Sequence, residues 1–172
     1  MKWFEAYTKR LESSRFKPPY EGERFACPCC GYLTLPEAGS GEICELCLWE
    51  DNGQDDAHAE ELWYSTNGYY SLARARENFG RYGVMYEPEG QSRLVGGADS
   101  AAERSTKREL IAAFNAMPGA PDDAALAALW KRALKCERRL DDEIDRRISD
   151  FRARNPEYAA YEAALTRMME PD

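Results

Sequence analysis

Two C-x-x-C pairs, Cys27/Cys30 and Cys44/Cys47, stand 13 residues apart. No other feature constrains the fold as much. A C-x-x-C turn presents two sulfurs to one ion, and a hairpin between the pairs brings the second turn beside the first. The four thiolates then close a tetrahedral shell around one zinc. Gly31 follows the first pair, where a knuckle turn commonly needs positive φ. Pro28 suits the tight, preset turn that opens it. A redox dithiol belongs in a βαβ context, and none is visible in this sequence. A four-cysteine shell leaves no open coordination position, so the expected ion is structural, not catalytic. Cys29, between the ligands, is expected to be inert or to support them. Cys136 reads as a buried apolar residue and His58 as an exposed loop histidine.

The charge pattern decides what such a module can bind. The net charge of −8 falls on the cysteine segment: from Phe25 to Ala73 there are nine acids and no Lys or Arg. Phosphate binding needs cations, and four thiolates around Zn²⁺ add about two further negative charges. Nucleic acid is therefore disfavoured as a partner of this segment. Trp49, Glu50, Asp51, Asp55, Asp56, Glu60 and Glu61 form an acidic stretch suited to a basic protein. It lacks the ligand order of a calcium loop. With no Ser/His/Asp set, no phosphate loop and one histidine, no catalytic residue is assigned and the chain is read as non-enzymatic.

The rest of the chain reads as helical. Phe4, Tyr7 and Leu11 form a short stripe ended by Pro18-Pro19. Ser71 caps a helix carrying Leu72, Ala75, Phe79 and Tyr82, with Gly83 to end it. Ser100 and Glu103 make a capping box for a helix bearing Thr106, Leu110, Phe114 and Met117. A long helix follows from about Asp122 to Arg154, with a stripe of Leu126, Leu129, Ala133, Cys136, Leu140, Ile144, Ile148 and Phe151. Asp142–Arg146, Glu143–Arg147 and Asp150–Arg154 would pair on its wet face. Asn155-Pro156 stops it and starts a last helix striped by Tyr158, Tyr161, Leu165 and Met168. The expected class is α+β: a small zinc-ribbon hairpin module with flanking helices, then a helical region. Residues 87–98 are the linker candidate, dividing a ribbon domain at 1–90 from a helical region at 98–172. The long helix also offers a homodimer seam.

No stretch approaches 18 apolar residues, and Met1-Lys2-Trp3-Phe4-Glu5 lacks a signal-peptide run, so a cytoplasmic location without a membrane span is expected. Reduced thiols there favour metal over disulfides.

The runs CPCCGYLTL and ICELCLWEDNGQDD, followed by Asn67, Ser71, Leu72 and Ala75 to Phe79, resemble the bacterial cysteine-rich CPCC family over about residues 25–83. The resemblance implies a zinc-ribbon-like module and no agreed biochemical activity. The function expected from these observations is a protein-interaction module, in concrete form an immunity protein or antitoxin that neutralises a basic toxin domain. The alternatives are a nucleic-acid regulator working through its helical half, and a metal-dependent enzyme using the acidic loop.

Overall fold

The computed structural model describes residues 2–18, 24–63, 65–90 and 96–169, excluding the side chains of Lys2, Leu165, Thr166 and Met169. The order is α1 (Lys2–Glu12), β1 (Phe25–Ala26), β2 (Leu33–Leu35), α2 (Leu72–Tyr82), α3 (Ala101–Ala116), α4 (Asp123–Arg154) and α5 (Pro156–Met169), with 3-10 turns at Asp56–His58 and Met117–Gly119. The class is α+β, as the sequence indicates. The strands pair antiparallel, Phe25 opposite Leu35 and Ala26 opposite Leu33. Around the second cysteine pair a single antiparallel bridge joins Ile43 to Glu50.

The helices begin and end where their caps dictate. The Ser71 and Ser100 side chains accept from the Arg74 and Glu103 N–H groups, and Asp122 accepts from that of Ala125. Each satisfies a donor that the first helical turn leaves without a partner. Ser100 and Glu103 form the full capping box. Gly83 ends α2 at φ 76°, and Asn155 stands between α4 and α5.

An aromatic cluster joins the cysteine segment to the helices. Trp3 stacks on Tyr7 at 5.3 Å, Tyr32 on Phe114 at 5.5 Å, and Phe114 meets Trp130 edge-on at 5.9 Å. Such pairs add to area burial because ring edges and faces carry opposite partial charge. The polar atoms of these rings are also satisfied. Trp130 Nε1 donates to the Tyr7 hydroxyl at 2.9 Å, Tyr32 donates to Asn115 Oδ1 at 2.9 Å, and Trp3 donates to the Phe114 carbonyl. One buried cluster thus contains Cys27, Cys44 and Cys47 together with Leu110, Phe114, Leu126 and Trp130.

α3 and α4 run antiparallel, because Glu103 meets Arg147 near one end and Phe114 meets Trp130 near the other. The α4 positions fully covered are Leu126, Trp130, Ala133, Cys136 and Leu140. Trp130 replaces Leu129 as the inward residue of that turn, and Leu129 packs at its edge. The stripe beyond Leu140 is only half-buried, because α4 has 32 residues and α3 has 16. The stripe proposed as a dimer seam is therefore covered within the chain over its first half.

Two expectations are corrected here. The charged residues of α4 were expected to pair along the helix. Instead Arg147 binds Glu103 of α3, and Glu143 accepts from Thr106 of α3 while facing Arg139. A partner on a packed neighbour is better desolvated than one on the wet face, which strengthens the attraction between the two charges. The α5 stripe was expected to face inward, but Tyr161 is 61% and Met168 82% exposed. α5 holds to α4 through Phe151 against Tyr158 and the Arg152–Glu162 ion pair. Within the candidate linker 87–98, residues 91–95 lie outside the described residues.

Candidate metal centre

The two knuckles have matching backbones. In the first, the Gly31 N–H donates to the Cys27 carbonyl at 2.8 Å and the Cys27 N–H to Tyr32 at 2.9 Å. In the second, Leu48 donates to Cys44 at 2.7 Å and Cys44 to Trp49 at 2.9 Å. Both turns need a left-handed residue just after the second cysteine. Gly31 supplies it at φ 79°, and Leu48 adopts it at φ 67°. For a leucine this costs about 1–2 kcal/mol of local strain. The surrounding core holds it there, since Leu46, Cys47 and Trp49 are all fully buried.

The four sulfurs lie within 4.8 Å of one another, with Cys27 Sγ 3.5 Å from Cys47 Sγ and Cys30 Sγ 3.7 Å from Cys44 Sγ. These are not disulfide distances; all six cysteines are free thiols. A tetrahedron with metal–sulfur bonds of about 2.3 Å has edges of about 3.8 Å, close to what the chain presents. The strand alternation of β2 buries Leu33 and Leu35 and turns Thr34 the other way. Thr34 Oγ1 then sits 3.0 Å from Cys44 Sγ, placed to donate to a thiolate. Burial pushes the Cys30 and Cys47 thiols well above their ordinary range. At Cys44 burial is outweighed by hydrogen bonds from Cys27, Cys30, Cys47 and Thr34, and the thiol is held below its ordinary range. Four buried thiolates cannot coexist without a cation, so the donor set fits one soft divalent metal and binding must release protons.

The acidic stretch is two kinds of surface. Trp49 is fully buried and Asp51 is 4% exposed, so these two hold the module from inside and are not contact residues. Asp51 Oδ2 accepts from the Gly39 N–H at 2.7 Å, tying the loop between the pairs to the chain after the second pair. Glu50 is half-buried and clamped by Asn67, which accepts from the Glu50 N–H and donates to its carbonyl, both at 2.9 Å. Asn67 thus substitutes for a neighbouring strand. Asn67→Ala should cost about 1–3 kcal/mol in denaturant unfolding, because it leaves the Glu50 N–H without its partner and the Glu50 carbonyl with the Asn52 N–H alone.

Asp55, Asp56, Glu60 and Glu61 are exposed. Asp55 caps the 3-10 turn through the Ala57 and His58 N–H groups and faces His58 Nδ1 at 2.7 Å; its carboxyl is held below the ordinary range by that contact. Asp56 pairs with Arg76, which also donates to the Pro28 carbonyl. His58 is exposed, as expected, and Cys29 and Cys136 are buried. Asn78 escaped the sequence reading: fully buried in α2, it donates to the Met85 carbonyl at 2.8 Å, and the Met85 N–H donates to Cys47. An asparagine on a helical face carries no sequence signal that would separate this role from solvent exposure.

One acid in the metal module is strained electrostatically. Glu45, between two ligands, faces Asp141 and Glu137 of α4, and burial followed by Asp141 pushes its carboxyl up to about 8. Arg24 is committed to Glu137 by bonds of 2.5 and 3.0 Å. A carboxyl raised on folding takes up a proton, so its stabilising form is fully present below about pH 4.5 and is lost as pH rises towards 8. Glu45→Gln should therefore stabilise the chain by about 1–2 kcal/mol more at pH 8.5 than at pH 5.5. The difference between variant and wild type at each pH, read by chemical denaturation, removes the opposing pH dependence of metal binding.

Among the described residues no helix is long and apolar enough to cross a membrane. No curated protein and no solved structure matches this chain. Residues 25–95, which carry both knuckles and α2, match the family model described as cysteine-rich CPCC, and within this segment four cysteines lie close enough together to hold a metal ion.

Proposed function

We propose that the chain is a zinc-stabilised, non-enzymatic module that binds a basic protein. Zinc is the natural ion for four thiolates in a tetrahedron and has no redox chemistry of its own. The observation that carries the reading is the surface of the module. Glu37, Glu42, Asp55, Asp56, Glu60 and Glu61 are all exposed, and the segment Phe25–Ala73 contains no Lys or Arg; Arg76, beyond it, pairs with Asp56. A field of one sign steers an oppositely charged partner and rejects nucleic acid. A cytoplasmic antitoxin or immunity protein that covers the basic active site of a toxin is one concrete form, and charge complementarity is what supports it.

Capture of partners by the zinc-loaded chain across a salt series tests the reading. A basic protein retained at low salt and released at high salt is expected, with retention lost in a Glu37→Lys, Glu60→Lys, Glu61→Lys variant. Retention that ignores both salt and charge reversal would sink it.

A further inference from the structure

The outer face of α4 carries charge that its own chain leaves without a partner. Trp130, Ala133 and Cys136 are buried on the inner side of this helix, which puts Lys131, Arg132 and Lys135 on the opposite side, all exposed. None of the three has an ion-pair partner among the described residues. Elsewhere on the helix charges are matched: Glu137 holds Arg24, and Arg139 meets Glu109. Lys131 and Lys135 are four residues apart and lie side by side, where like charges repel and weaken a helix. The complementary surface belongs to the cysteine module, and buried side chains fix it. Asp51 ties the loop carrying Glu37 and Glu42 to the chain after the second cysteine pair. Gln54, 2% exposed, donates to the His58 and Glu61 carbonyls at 2.6 and 2.9 Å and so fixes the loop carrying Glu60. Glu37, Glu42 and Glu60 are exposed and also have no partner among the described residues.

We propose that the outer face of α4 docks on the acidic surface of the cysteine module in a second copy of this chain, with the chain itself as the basic partner of the reading above, on which this assignment rests. Complementary charge supplies the attraction and the orientation. The contact uses the charged outer face of α4, not the apolar stripe covered by α3. Because the two surfaces differ, copies join head to tail, or two copies exchange both contacts reciprocally about a two-fold axis. A nucleic acid fits the face less well. One turn further along α4, Asp142 and Asp145 are exposed and would meet its phosphates.

The test is sedimentation velocity of the zinc-loaded full chain. The mean mass should rise above that of the monomer with concentration at about 0.01 M salt and return to it at about 1 M, as the screening length falls from about 30 Å to about 3 Å. Lys131→Glu with Lys135→Glu should weaken association about tenfold or more, and so should Glu37→Lys with Glu60→Lys and Glu61→Lys. Mixed in equal amounts, the two variants should associate again, because the intact acidic module of the first meets the intact α4 face of the second. Misfolded variants would not recover in this way. A wild-type chain that stays monomeric at low salt, or association that survives either reversal, overturns the proposal. Salt-sensitive capture of another basic protein would then leave the general charge reading standing, whereas no capture overturns both. Binding of a short DNA duplex without self-association, lost in the lysine variant, would assign the face to phosphate and would also overturn the proposal.

Discussion

Cys44→Ser is expected to abolish metal binding and to unfold more than the hairpin. Structural zinc contributes about 10–16 kcal/mol in small metal-folded domains, as much as or more than the whole stability of an ordinary domain. Cys44 is the decisive ligand because Cys29 lies beside the first pair and contacts Cys47, so it stands ready to replace Cys27 or Cys30. The consequences should spread, since Cys27, Cys44 and Cys47 share one buried cluster with Tyr32, Phe114 and Trp130. Loss of near-ultraviolet circular dichroism from the Trp3, Tyr7, Trp130 group, in parallel with zinc loss, would show that coupling. Retained aromatic signal with the metal gone would confine the zinc to a local role. A chelator should reproduce the effect in the wild type, and acid should too, because protons compete with the metal for the four sulfurs.

The second large effect is expected at Arg147. The Glu103 side chain is fully buried, accepts from the Ser100 N–H at 2.6 Å, and receives Arg147 Nε at 2.9 and 3.1 Å. Arg147 also donates to the Gly97 carbonyl at 3.0 Å, fixing the approach to α3. Arg147→Met should cost about 3–5 kcal/mol, because it leaves a charge buried without its partner. Glu103→Gln in the same chain should recover most of the loss, since it removes the stranded charge while keeping the capping bond. Urea unfolding of the single and double variants reads both steps. Additive destabilisation in the double variant would show that Glu103 gains little from Arg147.

These two sites differ in how far the sequence reveals them. The cysteine pairs are local: their spacing and Gly31 define a knuckle whatever the rest of the chain does. The same holds for Ser71, Ser100 and Asp122, whose side chains each satisfy a nearby backbone N–H, for Gly83, whose left-handed backbone ends α2, and for Asn155-Pro156. The Glu103–Arg147 pair joins residues on different helices, and periodicity alone assigned Arg147 to Glu143. Trp130 was hidden for a similar reason, because an apolar Leu129 beside it satisfied the same stripe. The acidic stretch misled most where composition stood in for geometry. Trp49 and Asp51 sit among exposed acids in sequence, yet the knuckle backbone turns both inward. Asp55, Asp56, Glu60 and Glu61, by contrast, are exposed as their composition indicates.

Zinc stoichiometry with the sulfur shell around it bears most directly on the metal centre. Elemental analysis of the purified chain, paired with X-ray absorption at the zinc edge, should return about one zinc per chain with four sulfurs at about 2.3 Å. A well-folded chain without metal, or a zinc shell containing fewer than four sulfurs, would contradict a site formed by Cys27, Cys30, Cys44 and Cys47.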